Sequence, residues 1–469
     1  MENNKEGKNP NTTDQVAMTV SDAADPEVLM PLTDPTKGTT TTYPIMDQVA
    51  SMNNLLDAFR RVKRNKGSAG IDGVSISDFE ERLDQNIKGV KNALINGTYS
   101  PFPVKVRMIP KTGGKLRKLG IPTVHDRVVQ QAILNILSPL FDPTFSASSF
   151  GFRPKRSAHM AVKKAAKYVE AGRTFVVDID LETFFDKASH NNILSGLRQK
   201  VRDEFVLKLI KRFLKAGQMN DGELSETNEG TPQGSPLSPL LSNVLLHRLD
   251  LELEKRGHKF CRYADDCNIY VGSRKAAESV LISTTKFIEN KLKLKVNREK
   301  SAAAPCSKRK FLGFTIKGDG KIAIARESVK RLKDNVRRVT KRNRGKSLKS
   351  IIFELNRILR GWGNYFSIAD SPTILKTLDA WIRRKLRCYR IKQRKRKYSI
   401  ATWLKTLGIP RNRAWALAKS NKGWWRRSLN QTIHKALNNQ WFDDAGLMFL
   451  TVNQYKMEMK YQIGDAKQT

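Results

Sequence analysis

Carboxylates set on apolar, β-prone runs are the feature that most constrains the fold of this chain. One run reads Val176-Val177-Asp178-Ile179-Asp180, and a second segment, Phe260 to Val271, carries Asp265 and Asp266 at its centre. Adjacent Asp residues between two β-prone runs are typical of a hairpin tip. A solvated turn explains that pair by itself, but it does not explain the first run. Burying an unpaired carboxylate on a strand is costly, so the pattern predicts a counter-charge.

Two Mg²⁺ ions are the counter-charge that fits. Carboxylates can hold such ions about 3.5–4 Å apart, where they activate a 3′-hydroxyl and stabilise the leaving oxygen in phosphoryl transfer. The rest of the chain has the opposite charge, with 86 Lys and Arg against 45 Asp and Glu and a formal net charge of +41. This excess predicts a polyanionic partner, with nucleic acid first and an anionic membrane surface second.

Other classes of protein are disfavoured by the sequence. Apolar runs stay well short of the roughly 18 residues that a membrane span requires, and the first thirty residues lack a signal-peptide pattern, so we expect a cytoplasmic protein with no membrane partner. The four cysteines form no CxxC pair, which predicts reduced thiols without a disulfide framework or a usual zinc site. The oligomeric state is left open.

The pattern of apolar residues divides the chain. The first 45 or so residues are acidic and without sustained periodicity, which predicts a disordered tail. Residues 100–320 mix short β-prone runs with helical spacing, which indicates an α/β or α+β fold. Beyond residue 326 the spacing predicts basic amphipathic helices, with breaks at Gly345, at Gly361 to Gly363 and at Ser371-Pro372.

Three motifs in this order resemble the reverse transcriptases encoded by bacterial group II introns. They are Asp180 followed five residues later by Phe185, the segment Gly230 to Asn243, and Tyr263-Ala264-Asp265-Asp266. The resemblance runs from about residue 50 to 450 and also includes the segments Ile121 to Arg127, Ser149 to Pro154, Phe311 to Phe314, and Leu359 to Phe366.

The resemblance implies an α+β right-hand polymerase followed by an all-α domain. The expected order is a disordered acidic tail over 1–45, reverse transcriptase fingers and palm over 46–320, a thumb or maturase domain over 326–398, and a basic DNA-binding region over 399–469. Beyond Cys306 the sequence holds only Cys388 and His434 as Cys or His residues, so the metal-nuclease domain of some family members is not expected.

The resemblance also implies the catalytic residues. Asp180, Asp265 and Asp266 are the expected metal ligands and catalytic triad, and Asp178 is the rival for the first position. Asp180 is preferred because Phe185 lies five residues after it. Phe185 resembles the steric gate that favours deoxynucleotides, and the alternative is an ordinary core Phe.

Further residues are implied around the nucleotide and the primer. Lys111 and Arg117 resemble finger residues that clamp the triphosphate, Gln233 and Gly234 would lie against the incoming nucleotide and template, and Lys300 resembles a proton donor to pyrophosphate. Phe311, Leu312 and Gly313 resemble the primer grip. The alternatives are surface basic residues for the three cations, a Pro/Gly turn for Gln233 and Gly234, and a buried strand for the grip.

The implied function is an RNA-directed DNA polymerase that also binds its intron RNA, assists splicing and supports mobility by target-primed reverse transcription. Its partners would be intron RNA, an RNA template, a DNA primer or target, and dNTPs, with two Mg²⁺ ions as cofactor. The resemblance further implies a bacterial protein that is cytoplasmic and nucleoid-associated when bound to DNA. The alternatives are a non-catalytic RNA-binding splicing factor and a related reverse transcriptase repurposed for defence or DNA repair.

Overall fold

A computed structural model describes residues 44–110, 116–220 and 222–452 of the chain. These residues form two compact units, one comprising 44–334 with 368–374, and the other 335–367 with 375–452. The predicted tail up to residue 43 and the predicted clamp residue Lys111 lie outside the described residues. None of the helices in the described ranges combines the length and apolarity needed to cross a lipid bilayer.

The larger unit mixes helices and strands, as the apolar pattern predicted. Its helices are α1 (Ile45–Val49), α2 (Met52–Arg64), α3 (Ile76–Glu81), α4 (Leu83–Ile95), α5 (Val124–Phe141), α6 (Ala158–Glu170), α7 (Phe184–Lys187), α8 (His190–Arg198), α9 (Glu204–Lys215), α10 (Ser238–Lys255), α11 (Arg274–Phe287) and the first part of α12 (Arg326–Val339). Its strands are β1 (Val104–Pro110), β2 (Leu116–Ile121), β3 (Phe175–Ile179), β4 (Gln218–Asn220), β5 (Glu223–Ser225), β6 (Lys259–Tyr263), β7 (Asp266–Val271), β8 (Ala302–Pro305), β9 (Phe314–Ile316) and β10 (Ile322–Ile324).

Three sheets organise these strands. The central sheet has the order β6-β7-β3-β8 and is antiparallel throughout. A second sheet has the order β2-β1-β4-β5, in which β1 runs antiparallel to β2 and parallel to β4. Strands β9 and β10 form a separate antiparallel pair. The fold is therefore α+β, with the acidic segments of the sequence on neighbouring strands of the central sheet.

One face of the central sheet packs on helices and buries the apolar residues of β3. Val177 and Ile179 are fully buried there, in the same core as Leu245 and Leu249 of α10 and Val128 of α5. Side chains alternate between the two faces of a strand, so Asp178 and the following Asp180 point to the opposite face. The apolar pattern of β3 thus turns its carboxylates away from the core.

The smaller unit is helical, as the spacing beyond residue 326 predicted. It contains the end of α12, followed by α13 (Leu348–Tyr365), most of α14 (Pro372–Gln393), α15 (Lys397–Thr406), α16 (Arg411–Lys419), α17 (Trp424–Arg427), α18 (Gln431–Ala436) and α19 (Asn439–Asp444). Helix α13 begins at the N-cap Ser347, whose hydroxyl accepts a hydrogen bond from the Ser350 amide.

The predicted break at Gly361 to Gly363 is wrong. Helix α13 continues through both glycines to Tyr365. A glycine inside a helix costs about 1 kcal/mol relative to alanine, and burial of the apolar face of α13, which includes Leu355 and Leu359, outweighs that cost. Gly345, by contrast, lies between α12 and α13 with a φ of +70°, where its lack of a side chain is used.

Candidate active site

The two acidic segments meet at one end of the central sheet. In the β3–β7 ladder Asp178 lies opposite Asn268 and Ile179 opposite Cys267. Continuing this register by one residue places Asp180 opposite Asp266. Strands β6 and β7 are joined by a two-residue turn of Ala264 and Asp265, closed by the pair Tyr263 and Asp266. The predicted hairpin tip is therefore present.

The carboxylates at this edge raise one another's pKa values. Desolvation and then the charge of Asp180 raise the pKa of Asp265. Asp266 is open to solvent on one side, but the protein surrounds the rest of its carboxylate. That desolvation, followed by the charges of Asp265, Asp178 and Asp180, raises the pKa of Asp266 to about 7. The pKa values of Asp265 and Asp266 are therefore raised even though Arg117, Arg262 and Lys310 lie near enough to lower them.

The backbone of Asp180 is held by the loop that precedes β8. The Ser301 hydroxyl accepts a hydrogen bond from the Asp180 amide at 3.0 Å, and the Asn297 amide donates to the Asp180 carbonyl at 2.8 Å. The Lys300 ammonium, on a largely exposed side chain, donates to Asp180 Oδ2 at 3.1 Å. The structure thus brings the predicted proton donor Lys300 directly to the predicted ligand Asp180.

Asp178, the rival for the first position, already has a strong cationic partner. Arg309 donates from Nε and Nη2 to Asp178 Oδ2, at 3.0 and 2.5 Å. Desolvation raises the pKa of Asp178, and the hydrogen bond and charge of Arg309 oppose that effect. Asp178 therefore functions in this structure as the acceptor of an ion pair.

The donor set at this edge suits a divalent cation. Carboxylate oxygens are the ligands that Mg²⁺ prefers, and a cation would relieve the repulsion that raises the pKa values of Asp265 and Asp266. Within the described ranges, no group of three or more Asp, Glu, His or Cys side chains has converged into a formed metal site. Asp180, Asp265 and Asp266 thus lie at one edge of the sheet and offer the oxygen ligands that Mg²⁺ prefers. Their carboxylates are not as close together as they would be around a bound ion.

Two of the predicted nucleotide-binding residues contact each other. Arg117, exposed on β2, donates from Nε to the side-chain oxygen of Gln233 at 2.6 Å. The neighbouring Gly234 has a φ of +109°, and a Cβ there would lie 2.8 Å from the Gly120 carbonyl oxygen. Glycine is therefore required at 234 for close packing against β2.

Phe185 is half-buried beside a cavity of about 420 Å³. Its ring packs edge-on against Phe184, with 5.2 Å between the ring centroids. Its carbonyl accepts a hydrogen bond from the Thr231 amide at 2.6 Å, which ties it to the segment that carries Gln233. Phe185 is therefore neither a fully buried core residue nor a freely exposed one.

The predicted primer grip is a tight turn. Phe311 and Phe314 exchange backbone hydrogen bonds of 2.8 and 2.9 Å, and Leu312 and Gly313 between them both have positive φ. The Gly313 carbonyl accepts hydrogen bonds from the Ala325 amide and the Ser328 hydroxyl. The buried-strand alternative describes Phe314, which begins β9, but not the two residues of the turn.

Sequence reasoning did not find the residues that support this site. Arg309 pairs with Asp178, Ser301 accepts a hydrogen bond from the Asp180 backbone, and Arg262 is fully buried next to the Ala264–Asp265 turn. Arg262 had a usable signal, because a charged residue inside the apolar run Phe260-Cys261-Arg262 needs a partner for the same reason as the aspartates do. Arg309 and Ser301 stand in no such pattern.

The smaller unit carries arginines and lysines stacked over tryptophans. Arg384 lies 3.7 Å and Lys385 4.9 Å from the ring centroid of Trp425, which is 36% exposed. Trp403, in contrast, is 6% exposed and belongs to the core. Tryptophans of this unit therefore occupy both a surface position, at Trp425, and a core position, at Trp403.

Comparison with known protein families agrees with this architecture. Residues 109–316 match the family model described as reverse transcriptase (RNA-dependent DNA polymerase), and residues 329–407 match the group II intron maturase-specific domain. The chain is thus a reverse transcriptase, an RNA-directed DNA polymerase by class, whose partners are nucleic acids.

Individual relatives narrow the class. Protein YkfC of Escherichia coli is 31% identical over 287 residues, which are 53% of this chain and 75% of YkfC. The group II intron-encoded protein LtrA of Lactococcus lactis is 30% identical over 339 residues, a little over half of each protein at 56%. A chain of a solved structure described as a partial Cas6-RT-Cas1–Cas2 complex is 25% identical, with a TM-score of 0.35, over 53% of this chain and 43% of that one. By the two family models and the likeness to YkfC and LtrA, the chain belongs to the family of reverse transcriptases and maturases encoded by group II introns.

Proposed function

We propose that this protein copies RNA into DNA at the edge of the central sheet, with Asp180, Asp265 and Asp266 as the ligands of two Mg²⁺ ions. The β3–β7 register supports the proposal most directly, because it sets Asp180 opposite Asp266 and next to the turn that carries Asp265. The pairing of Asp178 with Arg309 supports Asp180 as the first ligand. When bound, the ions would activate the primer 3′-hydroxyl and stabilise the leaving pyrophosphate.

The chain's own residues would orient the nucleotide. Arg117, together with Lys111, would clamp the triphosphate, and its hydrogen bond to Gln233 supports this role, because Gln233 is proposed to lie against the incoming nucleotide. Phe185 crowds the ribose 2′-position and so favours dNTPs. Lys300 supplies a proton to the departing pyrophosphate from its position beside Asp180.

The same chain would bind intron RNA, assist its splicing and support mobility by target-primed reverse transcription. The domains proposed for these roles are the fingers and palm over 46–320, the thumb or maturase domain over 326–398 and a basic DNA-binding region over 399–469. The exposed Trp425, with Arg384 and Lys385 stacked on it, supports nucleic-acid contact, since cations bind phosphates and aromatic faces stack on bases.

Primer extension tests the polymerase. Purified full-length protein, a DNA primer on an RNA template and Mg²⁺ are combined with dNTPs or, separately, rNTPs, beside the double variant Asp265→Ala/Asp266→Ala. We expect dNTP extension that the double variant loses while its RNA affinity stays within about twofold, because metal binding and phosphate contacts are separate. A double variant that extends at the wild-type rate would refute the site, and tight RNA binding without extension by the wild type would favour the scaffold alternative.

A splicing assay tests the second role. Intron RNA from the gene's own neighbourhood is incubated with wild-type protein and with the same double variant. We expect both proteins to accelerate splicing equally, since the reaction uses RNA binding and not the aspartates. An absence of acceleration by the wild type would remove the splicing role and leave the polymerase untouched.

A further inference from the structure

Arg262 is a fully buried arginine in β6, three residues before Asp265, and all its side-chain N–H groups are satisfied. Nε and Nη2 donate to the two oxygens of Asp250, at 2.7 and 2.6 Å. Nη1 donates to the Asn243 side chain at 3.0 Å and to the Ala264 carbonyl at 2.9 Å, and Nη2 also donates to the Ser149 hydroxyl at 2.8 Å.

This ion pair is unusual in its burial. The side chains of Arg262 and Asp250 are both completely inaccessible to solvent. A buried pair of this kind contributes little net stability over an apolar pair of the same shape, because both charges must be desolvated. What it supplies is a planar fork of donors with a fixed direction.

One of these donors, Arg262 Nη1, contacts the two-residue turn of Ala264 and Asp265 between β6 and β7. Ala264 has a φ of +57°, a left-handed conformation that an alanine adopts only under constraint. Its carbonyl is the acceptor for Arg262 Nη1. Arg262 thus holds the turn residue that immediately precedes Asp265.

The turn is also fixed from its other side. A Cβ on Gly151 would lie 2.2 Å from the Ala264 nitrogen, so the backbone of Gly151 packs directly on the turn. The Phe150 amide donates to the Arg262 carbonyl, and the Asn243 side chain donates to the Gly151 carbonyl, both at 2.9 Å. Arg262 therefore connects residues 148–151 and helix α10 to the Ala264–Asp265 turn.

We propose that Arg262, oriented by Asp250, is a positioning residue that holds the Ala264–Asp265 turn where Asp265 and Asp266 can bind metal. This role rests on the proposed function, since it assumes that these aspartates are the ligands. Arg262 touches neither substrate nor metal and acts through the backbone of Ala264. Groups that orient ligands from behind in this way typically change metal affinity or activity by about 10–100-fold when replaced.

Metal binding by the protein alone provides the first measurement. Mn²⁺ is titrated into full-length protein without nucleic acid, and free Mn²⁺ is followed by electron paramagnetic resonance. For Arg262→Lys we expect the dissociation constant of the aspartate-dependent sites to rise about 10–100-fold. Lysine keeps a positive charge for Asp250, but its single nitrogen cannot span Asp250, Asn243 and Ala264.

Primer extension provides the second measurement. Arg262→Lys is expected to need about 10–100-fold more Mg²⁺ for half-maximal rate, or to lose kcat by that factor, with the KM for dNTP and the RNA affinity unchanged. Gly151→Ala, which displaces the turn with Arg262 intact, is expected to show the same pattern. Ser149→Ala removes only one hydrogen-bond acceptor of the Arg262 guanidinium and is expected to raise the Mg²⁺ requirement a few-fold. This milder variant tests the role of Arg262 even if the larger changes prevent folding.

Gly196→Ala is the matched control. A Cβ there would lie 2.6 Å from Val244 Cγ1, so this variant strains the packing of α10 without contacting the turn. It is expected to unfold at a lower temperature and to bind Mn²⁺ like the wild type. All assays are run well below the unfolding midpoint of each variant.

The outcomes separate the two proposals. Folded turn variants with wild-type Mn²⁺ affinity and wild-type Mg²⁺ dependence would overturn the role of Arg262 while an active wild type kept the proposed function. A Gly196→Ala variant with the same metal defect would show general instability, which also overturns the role. A wild type whose Mn²⁺ binding does not change in Asp265→Ala/Asp266→Ala would instead overturn the proposed function.

Discussion

Arg309 donates two hydrogen bonds to one carboxylate oxygen of Asp178, 131 residues earlier in the chain. The same Nη2 donates to the Lys300 carbonyl at 2.6 Å. One guanidinium therefore joins strand β3, the loop that carries Lys300 and the approach to the Phe311 turn. This pairing distinguishes two aspartates that lie on the same strand face and are only two residues apart.

The first prediction contrasts these two aspartates. Asp180→Asn is expected to lower the primer-extension rate at least ~10²-fold, because it removes a charged metal ligand worth several kcal/mol. Asp178→Asn is expected to lower kcat less than ~10-fold and to cost about 1–3 kcal/mol of unfolding free energy, because Arg309 loses its charged partner. Extension assays and thermal unfolding of both variants measure this. The reverse order of rate losses would make Asp178 the ligand.

The second prediction concerns Phe185. Its half-buried ring beside the cavity suits a group that contacts the sugar, so Phe185→Ala is expected to raise rNTP incorporation relative to dNTP. The ratio of kcat/KM for one dNTP and its matching rNTP is the measurement. Phe184→Leu, on the fully buried neighbour, is the control and is expected to keep the wild-type ratio. An unchanged ratio in Phe185→Ala would assign Phe185 to packing alone.

A third prediction follows from the contact between Arg117 and Gln233. Arg117→Ala is expected to raise the KM for dNTP by about tenfold or more, because a hydrogen bond to a charged group such as phosphate is worth roughly 1.5–3 kcal/mol and each ~1.4 kcal/mol is a factor of ten. Steady-state extension over a range of dNTP concentrations checks it. Lys208→Ala, an exposed cation on α9, is the matched loss of charge and is expected to leave the KM unchanged. An equal effect of the two variants on KM would mean that Arg117 acts only through its positive charge and not through a specific contact with the nucleotide.

RNA binding gives a fourth prediction. A chain with a net charge of +41 releases counterions from every phosphate that it contacts, so its RNA affinity is expected to fall steeply with salt. The slope of log affinity against log salt grows by about 0.7–0.9 per phosphate. Arg384→Ala/Lys385→Ala is expected to reduce the slope by about two such increments. A salt-independent affinity would contradict binding through the basic surface.

The cysteines give a fifth prediction. Cys261, Cys267, Cys306 and Cys388 are all free and buried. Burial raises the pKa of Cys261 and Cys306 to about 12, and that of Cys388 is raised as well. The native protein is therefore expected to react slowly with a thiol reagent, and all four thiols are expected to react once it is unfolded. Rapid native labelling of any of the four would show that its site opens.

The sequence predicted those features that depend on neighbouring residues. The apolar run around Asp178 and Asp180 indicated a strand that bears carboxylates, and Asp265-Asp266 between β-prone runs indicated a hairpin tip. The expectation that glycine breaks a helix was wrong at Gly361 and Gly363. Both lie inside α13, where burial of the apolar side chains outweighs the low helix propensity of glycine.

By itself, then, the sequence determined the strand that ends beside Asp180, the turn that carries Asp265, the helical character of the C-terminal part and the family of the chain. Only the tertiary structure decided that Arg309 pairs with Asp178, that Lys300 contacts Asp180, and that Arg262 and Gly151 contact the Ala264–Asp265 turn. Strand and turn patterns arise from interactions over a few residues, which spacing reveals. The pairing of a buried charge is set by which distant segments pack together, and spacing along the chain carries no record of that.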